Sequence, residues 1–104
     1  MFTPRYQNEQ TDRLMQALLA LETTEEAYRF LEDVLTIQEM KSITQRLEVA
    51  VMLRNKDTYQ EIVRQTGAST TTIGRVNRSL QYGADGYSIV LDRVEEPQEA
   101  QQKD

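Results

Sequence analysis

Cysteine, histidine and tryptophan are absent from the 104 residues, and proline occurs only as Pro4 and Pro97. Without cysteine there is no disulfide scaffold, thiol nucleophile or thiolate metal site. Without histidine as well, a transition-metal centre has no nitrogen or sulfur ligand, and the expectation is no metal and no cofactor. Long apolar runs are also missing. No stretch approaches the roughly 18 apolar residues of a membrane span, so no membrane association is expected. The opening MFTPRYQNEQTDR carries no apolar signal-type segment, and the expectation is a soluble cytoplasmic protein. The length fits one small domain, and at 38% hydrophobic composition the core must be thin. A core shared between subunits therefore makes sense.

Seventeen acids against twelve bases give a net charge of -5, which argues globally against a nucleic-acid partner. The distribution points the other way. Residues 1–40 carry net -5 and residues 83–104 net -4, whereas residues 41–82 carry net +4 from Lys41, Arg46, Arg54, Lys56, Arg64, Arg75 and Arg78 against Glu48, Asp57 and Glu61. Positive charge is concentrated in the middle third.

The long interval between the two prolines reads as helical throughout. A first helix is expected over 6–21, where Leu14, Ala17, Leu18 and Leu21 recur at helical spacing. Thr23-Thr24-Glu25-Glu26 has the S/T-x-x-E form of a capping box and opens a second. Thr36-Ile37-Gln38-Glu39 opens a third, to about Arg54, apolar on more than one side and therefore central. Thr58-Tyr59-Gln60-Glu61 opens a fourth, ended by Gly67, and Ser69 caps a fifth from Thr70 to about Gln81. Residues 86–94 fit a sixth helix slightly better than an extended segment. The tail 95–104 is polar and expected to be disordered. The chain thus reads as one all-α domain over 1–94.

The pair of helices around Gly67 carries the chemistry. A glycine suits a turn that needs positive φ. Ile62 and Val63 are placed on the inner face of the first helix, and Ile73, Val76 and Leu80 on that of the second, the pattern of a helix-turn-helix over about 58–81. The outward face of the second helix then presents Thr70, Thr71, Gly74, Arg75 and Arg78. Threonines can meet phosphates, base edges and thymine methyls, arginine can pair bidentately with guanine, and a glycine lets the backbone approach closely. Catalysis finds no comparable support. Glu25-Glu26 and Glu95-Glu96 read as solvated, and the hydroxyls of Ser69–Thr72 have no nearby base, so the chain is not expected to be an enzyme. An alternative is a helical interaction module without DNA binding, docking its acidic stretch 22–39 on a basic partner.

Val34-Leu35-Thr36, Arg46 ten positions later, Tyr59-Gln60-Glu61-Ile62 through Ser79-Leu80-Gln81-Tyr82-Gly83, and Asp85-Gly86-Tyr87 together resemble the Trp repressor superfamily, and more closely its TrpR-like YerC/YecD family. The resemblance spans roughly residues 10–94. It implies six helices per chain intertwined as a homodimer, a transcriptional repressor, and a palindromic double-stranded DNA operator read by one helix per half-site. It places DNA contacts on Gln60 and Arg64 of the first helix and on Thr70, Thr71, Thr72, Gly74 and Arg75 around the second. Val63 stands where the tryptophan-binding member has a lysine. It also implies a corepressor pocket in which Thr36, Arg46, Arg75 and Ser79 match four positions, while Val76 stands where the pocket has a glycine. Overfilling such a slot costs roughly 1–3 kcal/mol. The expected effector is therefore a small amino acid other than tryptophan, or none.

Overall fold

In the computed structural model, residues 1–94 are described and form six helices with no strand among them: α1 (Glu9–Ala20), α2 (Thr24–Val34), α3 (Ile37–Arg54), α4 (Tyr59–Thr66), α5 (Thr70–Tyr82) and α6 (Gly86–Val94). The expected disorder of 95–104 falls outside the described residues. The all-α expectation holds, and 86–94 is helical. No helix among the described residues is long and apolar enough to cross a membrane.

The helix starts follow from side-chain caps, which satisfy the otherwise unpaired first N–H groups. The Thr23, Thr36, Thr58 and Ser69 hydroxyls accept from the backbone N–H three residues on, at Glu26, Glu39, Glu61 and Thr72. At α1 the expected start is corrected from 6 to 9. Asn8 caps the helix, its Oδ1 accepting from the Thr11 N–H at 2.9 Å while Thr11 Oγ1 accepts from the Asn8 N–H at 2.8 Å.

The chain divides into two compact units, Met1–Lys41 and Ser42–Asp104. The first has no fully buried residue. Along α1 the expected apolar stripe is present, yet Leu14, Met15, Leu18 and Leu19 are exposed, Leu19 by 86%. Among the described residues, the second unit holds all the buried side chains: Val49, Ala50 and Met52 from α3, Ile62 from α4, Ala68 from the turn, Ile73 and Val76 from α5, and Leu91 from α6. Of the two apolar faces expected on the third helix, the one bearing Val49 and Met52 is buried, while Ile43 and Leu47 on the other are exposed. Arg54 Nη2 reaches Asp92 Oδ1 at 2.6 Å and ties the end of α3 to α6.

Lys56, Gly83 and Asp85, the last with φ 67° just before α6, are demanding backbone positions. Lys56 has φ 68°; its N–H donates to the Leu53 carbonyl while the Asp57 N–H donates to that of Met52, so the end of α3 is closed by a left-handed residue that carries a side chain. Gly83 closes α5 by donating to the Ser79 carbonyl at 2.9 Å, and a β-carbon there would lie 2.5 Å from that same oxygen.

Candidate nucleic-acid interface

The turn between α4 and α5 is built from the residues that punctuate it. Gly67 adopts φ 75° and ends α4 with its N–H on the Val63 carbonyl. Thr66 Oγ1 donates to the Ile62 carbonyl at 2.7 Å and accepts from the Ala68 N–H at 3.1 Å, so one hydroxyl bridges the turn. Buried Ala68 plugs the turn into the core. From α3, Gln45 Nε2 donates to the Thr66 carbonyl at 3.1 Å and anchors the corner. Ile62, Ile73 and Val76 are buried and Leu80 half-buried, as an inward face requires. Val63 is the exception. The expectation places it inward, but it is 37% exposed, because Ile62 and Thr66, one turn apart, take the inner side of the short α4 and leave Val63 at its edge.

Opposite that inner side, Thr70, Thr71, Arg75 and Arg78 are exposed on α5 and Gly74 is half-exposed between them. At 3.6 residues per turn these five positions occupy one face of the helix. The helix carries two arginines and no carboxylate. Arg75, Arg78 and Arg46 make no ion pair among the described residues, whereas Arg54 is held by Asp92 and Arg64 by Glu61. A β-carbon built on Gly74 would meet nothing within 4 Å among the described residues beyond the backbone of its own helix. Glycine is unfavourable inside a helix, and nothing among the described residues demands it there.

The remaining expected contacts divide. Gln60 and Arg64 are exposed on α4, in the same unit. Thr72 is half-buried and engaged in the cap, its Oγ1 accepting from the Ser69 hydroxyl at 3.1 Å, so it positions the start of α5 more than it presents to solvent. Arg78, exposed beside Arg75, joins the face and extends the matched set.

The expected effector residues are less coherent. Thr36 belongs to the first unit and caps α3, with its N–H on Glu39 Oε1 at 2.9 Å. Arg46, Arg75 and Ser79 are exposed in the second unit, and Val76 is turned into the core. A depression of about 460 Å³ is lined by Leu47, Ser79, Gly83, Ala84, Gly86, Tyr87 and Val90; it includes Ser79 but neither arginine.

Residues 9–95 match the family described as Trp repressor protein. The chain belongs to the Trp repressor family. It is 50% identical over 92 residues to the uncharacterized protein YerC of Bacillus subtilis strain 168, an alignment covering 88% of each chain. A TrpR-like protein from Eubacterium eligens superposes with a TM-score of 0.80 at 54% identity, covering 84% of this chain and 90% of that one. A solved structure from Staphylococcus aureus gives a TM-score of 0.80 at 47% identity, covering 84% and 87%. Of the two helices α4 and α5 joined at Gly67, α5 is the one whose arginines make no ion pair among the described residues.

Proposed function

We propose that this protein is a cytoplasmic, sequence-specific DNA-binding transcriptional regulator. It acts as a repressor on a palindromic operator, with α5 of each half of a homodimer in the major groove. The observation that carries the reading is the outer face of α5. Two arginines without an ion pair among the described residues and two exposed threonines flank a helix-interior glycine at which a β-carbon would meet no described residue beyond its own helix backbone. Arg75 and Arg78 supply attraction to phosphates and guanine edges, Thr70 and Thr71 supply hydroxyls and methyls, and Gly74 lets the helix axis close on the duplex. Gln60 and Arg64 reach the flanking backbone from α4, and Thr72 holds the start of α5.

Dimerisation is supported by what one chain leaves uncovered. A unit of 41 residues with no buried side chain has too little core to stand alone, and Leu14, Met15, Leu18 and Leu19 need a partner surface. Ile43, Leu47 and Val90 of the second unit are likewise exposed. A second copy offers both surfaces. An effector, where one acts, is a small amino acid other than tryptophan, since Val76 is packed where an indole slot needs a glycine; Arg46, Arg75, Ser79 and Thr36 are its candidate ligands.

Selection from a randomised duplex pool, followed by fluorescence anisotropy, tests the proposal. Arg75→Ala should weaken binding to the selected sequence by about 1–3 kcal/mol, and Thr71→Ala should shift sequence preference more than overall affinity. Parent-like binding by both variants would remove α5 as the reader.

A further inference from the structure

Three of the helices open with the S/T-x-x-E spacing and use it differently; at α2 Glu26 Oε1 accepts from the Glu22 N–H at 2.9 Å, one residue before the cap. At α3 the box is closed: the Thr36 hydroxyl accepts from the Glu39 N–H at 3.0 Å and Glu39 Oε1 accepts from the Thr36 N–H at 2.9 Å. At α4 only the first half is made. The Thr58 hydroxyl accepts from the Glu61 N–H at 3.2 Å, but both Glu61 carboxylate oxygens accept from Arg64 Nη2. No acceptor takes the Thr58 N–H among the described residues. Arg64, 71% exposed in its side chain, is thus the one α4 arginine of the interface and is already neutralised by its neighbour one turn back.

We propose that Glu61 is a shared acceptor that restrains Arg64 until α4 is seated on DNA, and so sets the ratio of specific to non-specific binding. The inference rests on the DNA-binding reading above. Glu61 has two partners within reach of one helical turn, the Arg64 guanidinium and the Thr58 N–H. In the free protein it holds the guanidinium. When a phosphate oxygen is presented to α4, the guanidinium passes to it, and the carboxylate turns back to the Thr58 N–H and completes the box already formed at Thr36–Glu39. The carboxylate is never left without a donor, so the exchange costs little in the seated complex. In a loose encounter, where α4 is not against the backbone, Arg64 stays paired and contributes no net charge. Glu61 thereby subtracts one cation from indiscriminate attraction to DNA, the component that scales with phosphates neutralised.

Glu61→Gln isolates this role. Glutamine still completes a capping box but holds no ion pair, so the helix start is retained while Arg64 is released. With a random-sequence duplex as probe, Glu61→Gln should bind roughly two- to fivefold tighter than the parent, the range of an exposed ion pair. Its log–log salt slope should steepen by about one phosphate. Affinity for the duplex selected from the pool should rise less, so the specificity ratio falls, and the melting temperature should match the parent. In an Arg64→Ala background the same substitution should change neither affinity nor slope. An equal gain with and without Arg64 would mean simple removal of a negative charge and overturns the proposal, as would unchanged random-duplex affinity in a protein whose binding still depends on Arg75. Absence of duplex binding at any salt would instead overturn the DNA-binding reading itself, and this inference with it.

Discussion

Replacing Gly74 by alanine separates what the fold needs from what a partner needs. Position 74 lies in the interior of the 13-residue α5, where glycine costs about 0.8–1.0 kcal/mol relative to alanine through backbone entropy. A β-carbon there meets nothing within 4 Å among the described residues beyond its own helix backbone, so no clash among them offsets the gain. Gly74→Ala should therefore stabilise the protein by nearly that amount. In a domain of this size the thermal midpoint by circular dichroism should rise by about 4–8 °C. Against DNA the sign reverses. If the helix backbone closes on the duplex at Gly74, an added methyl overfills a fitted contact at roughly 1–3 kcal/mol, or about five- to 150-fold in Kd for the selected duplex. A protein that becomes more stable and binds worse is difficult to explain by damage to the fold. Two results would refute the reasoning. A lowered midpoint would mean that the glycine serves the fold after all, and a raised midpoint with unchanged DNA affinity would mean that nothing approaches the helix at that point.

Four further outcomes are expected. Gly83→Ala should lower the thermal midpoint clearly, because its β-carbon would sit 2.5 Å from the Ser79 carbonyl oxygen, a backbone atom that cannot swing aside; thermal melts of the two glycine variants should move in opposite directions. Lys56→Gly should raise stability by up to about 1 kcal/mol in chemical denaturation, since a left-handed φ of 68° burdens a side-chain-bearing residue more than glycine. Leu18→Glu should shift the mass measured by light scattering from dimer toward monomer and lower the midpoint in a concentration-dependent way, whereas a parent that is monomeric at all concentrations would contradict the shared core. Tryptophan at millimolar concentration should leave the midpoint unchanged if the proposed effector slot lies at Val76, which is buried in the core; a saturable increase would show that the slot opens.

Much of the local structure was legible because it is written in short-range chemistry. Each of Thr23, Thr36, Thr58 and Ser69 places a hydroxyl before a helical run, and each caps a helix. Gly67 stands where a left-handed turn is needed and adopts it. The misses have equally local causes. The start of α1 relies on an Asn8–Thr11 box that lacks the glutamate of the usual pattern, so the polar stretch before it read as helix. The turn after α3 places lysine where glycine is the usual signal, which hid its geometry. Val63 is apolar but sits at the edge of a helix only eight residues long, too short for periodicity to separate face from edge. In the site, exposure of Thr70, Thr71 and Arg75 followed from periodicity. The Glu61–Arg64 pair did not, because the same spacing that suggests a capping box also permits an ion pair, and only geometry tells which partner the carboxylate takes.

The acidic net charge does not count against a DNA partner once its placement is considered. A charge acts on a phosphate only within about a Debye length, roughly 8 Å at physiological ionic strength, so the relevant quantity is the charge on the contacting face. On α5 that charge is positive and unopposed along the helix, because Arg75 and Arg78 have no carboxylate beside them on it. The acids that make the total negative belong largely to residues 1–40 and 83–104. Such a distribution along the chain lets a helix of positive charge meet phosphate within a protein that is negative in total. Raising salt should then weaken the selected duplex with a slope set by a few arginines, while adding positive charge on a different helix, as in Glu25→Lys on α2, should raise random-duplex binding more than selected binding. Equal gains for the two duplexes would mean that the total charge, rather than its arrangement, governs the interaction.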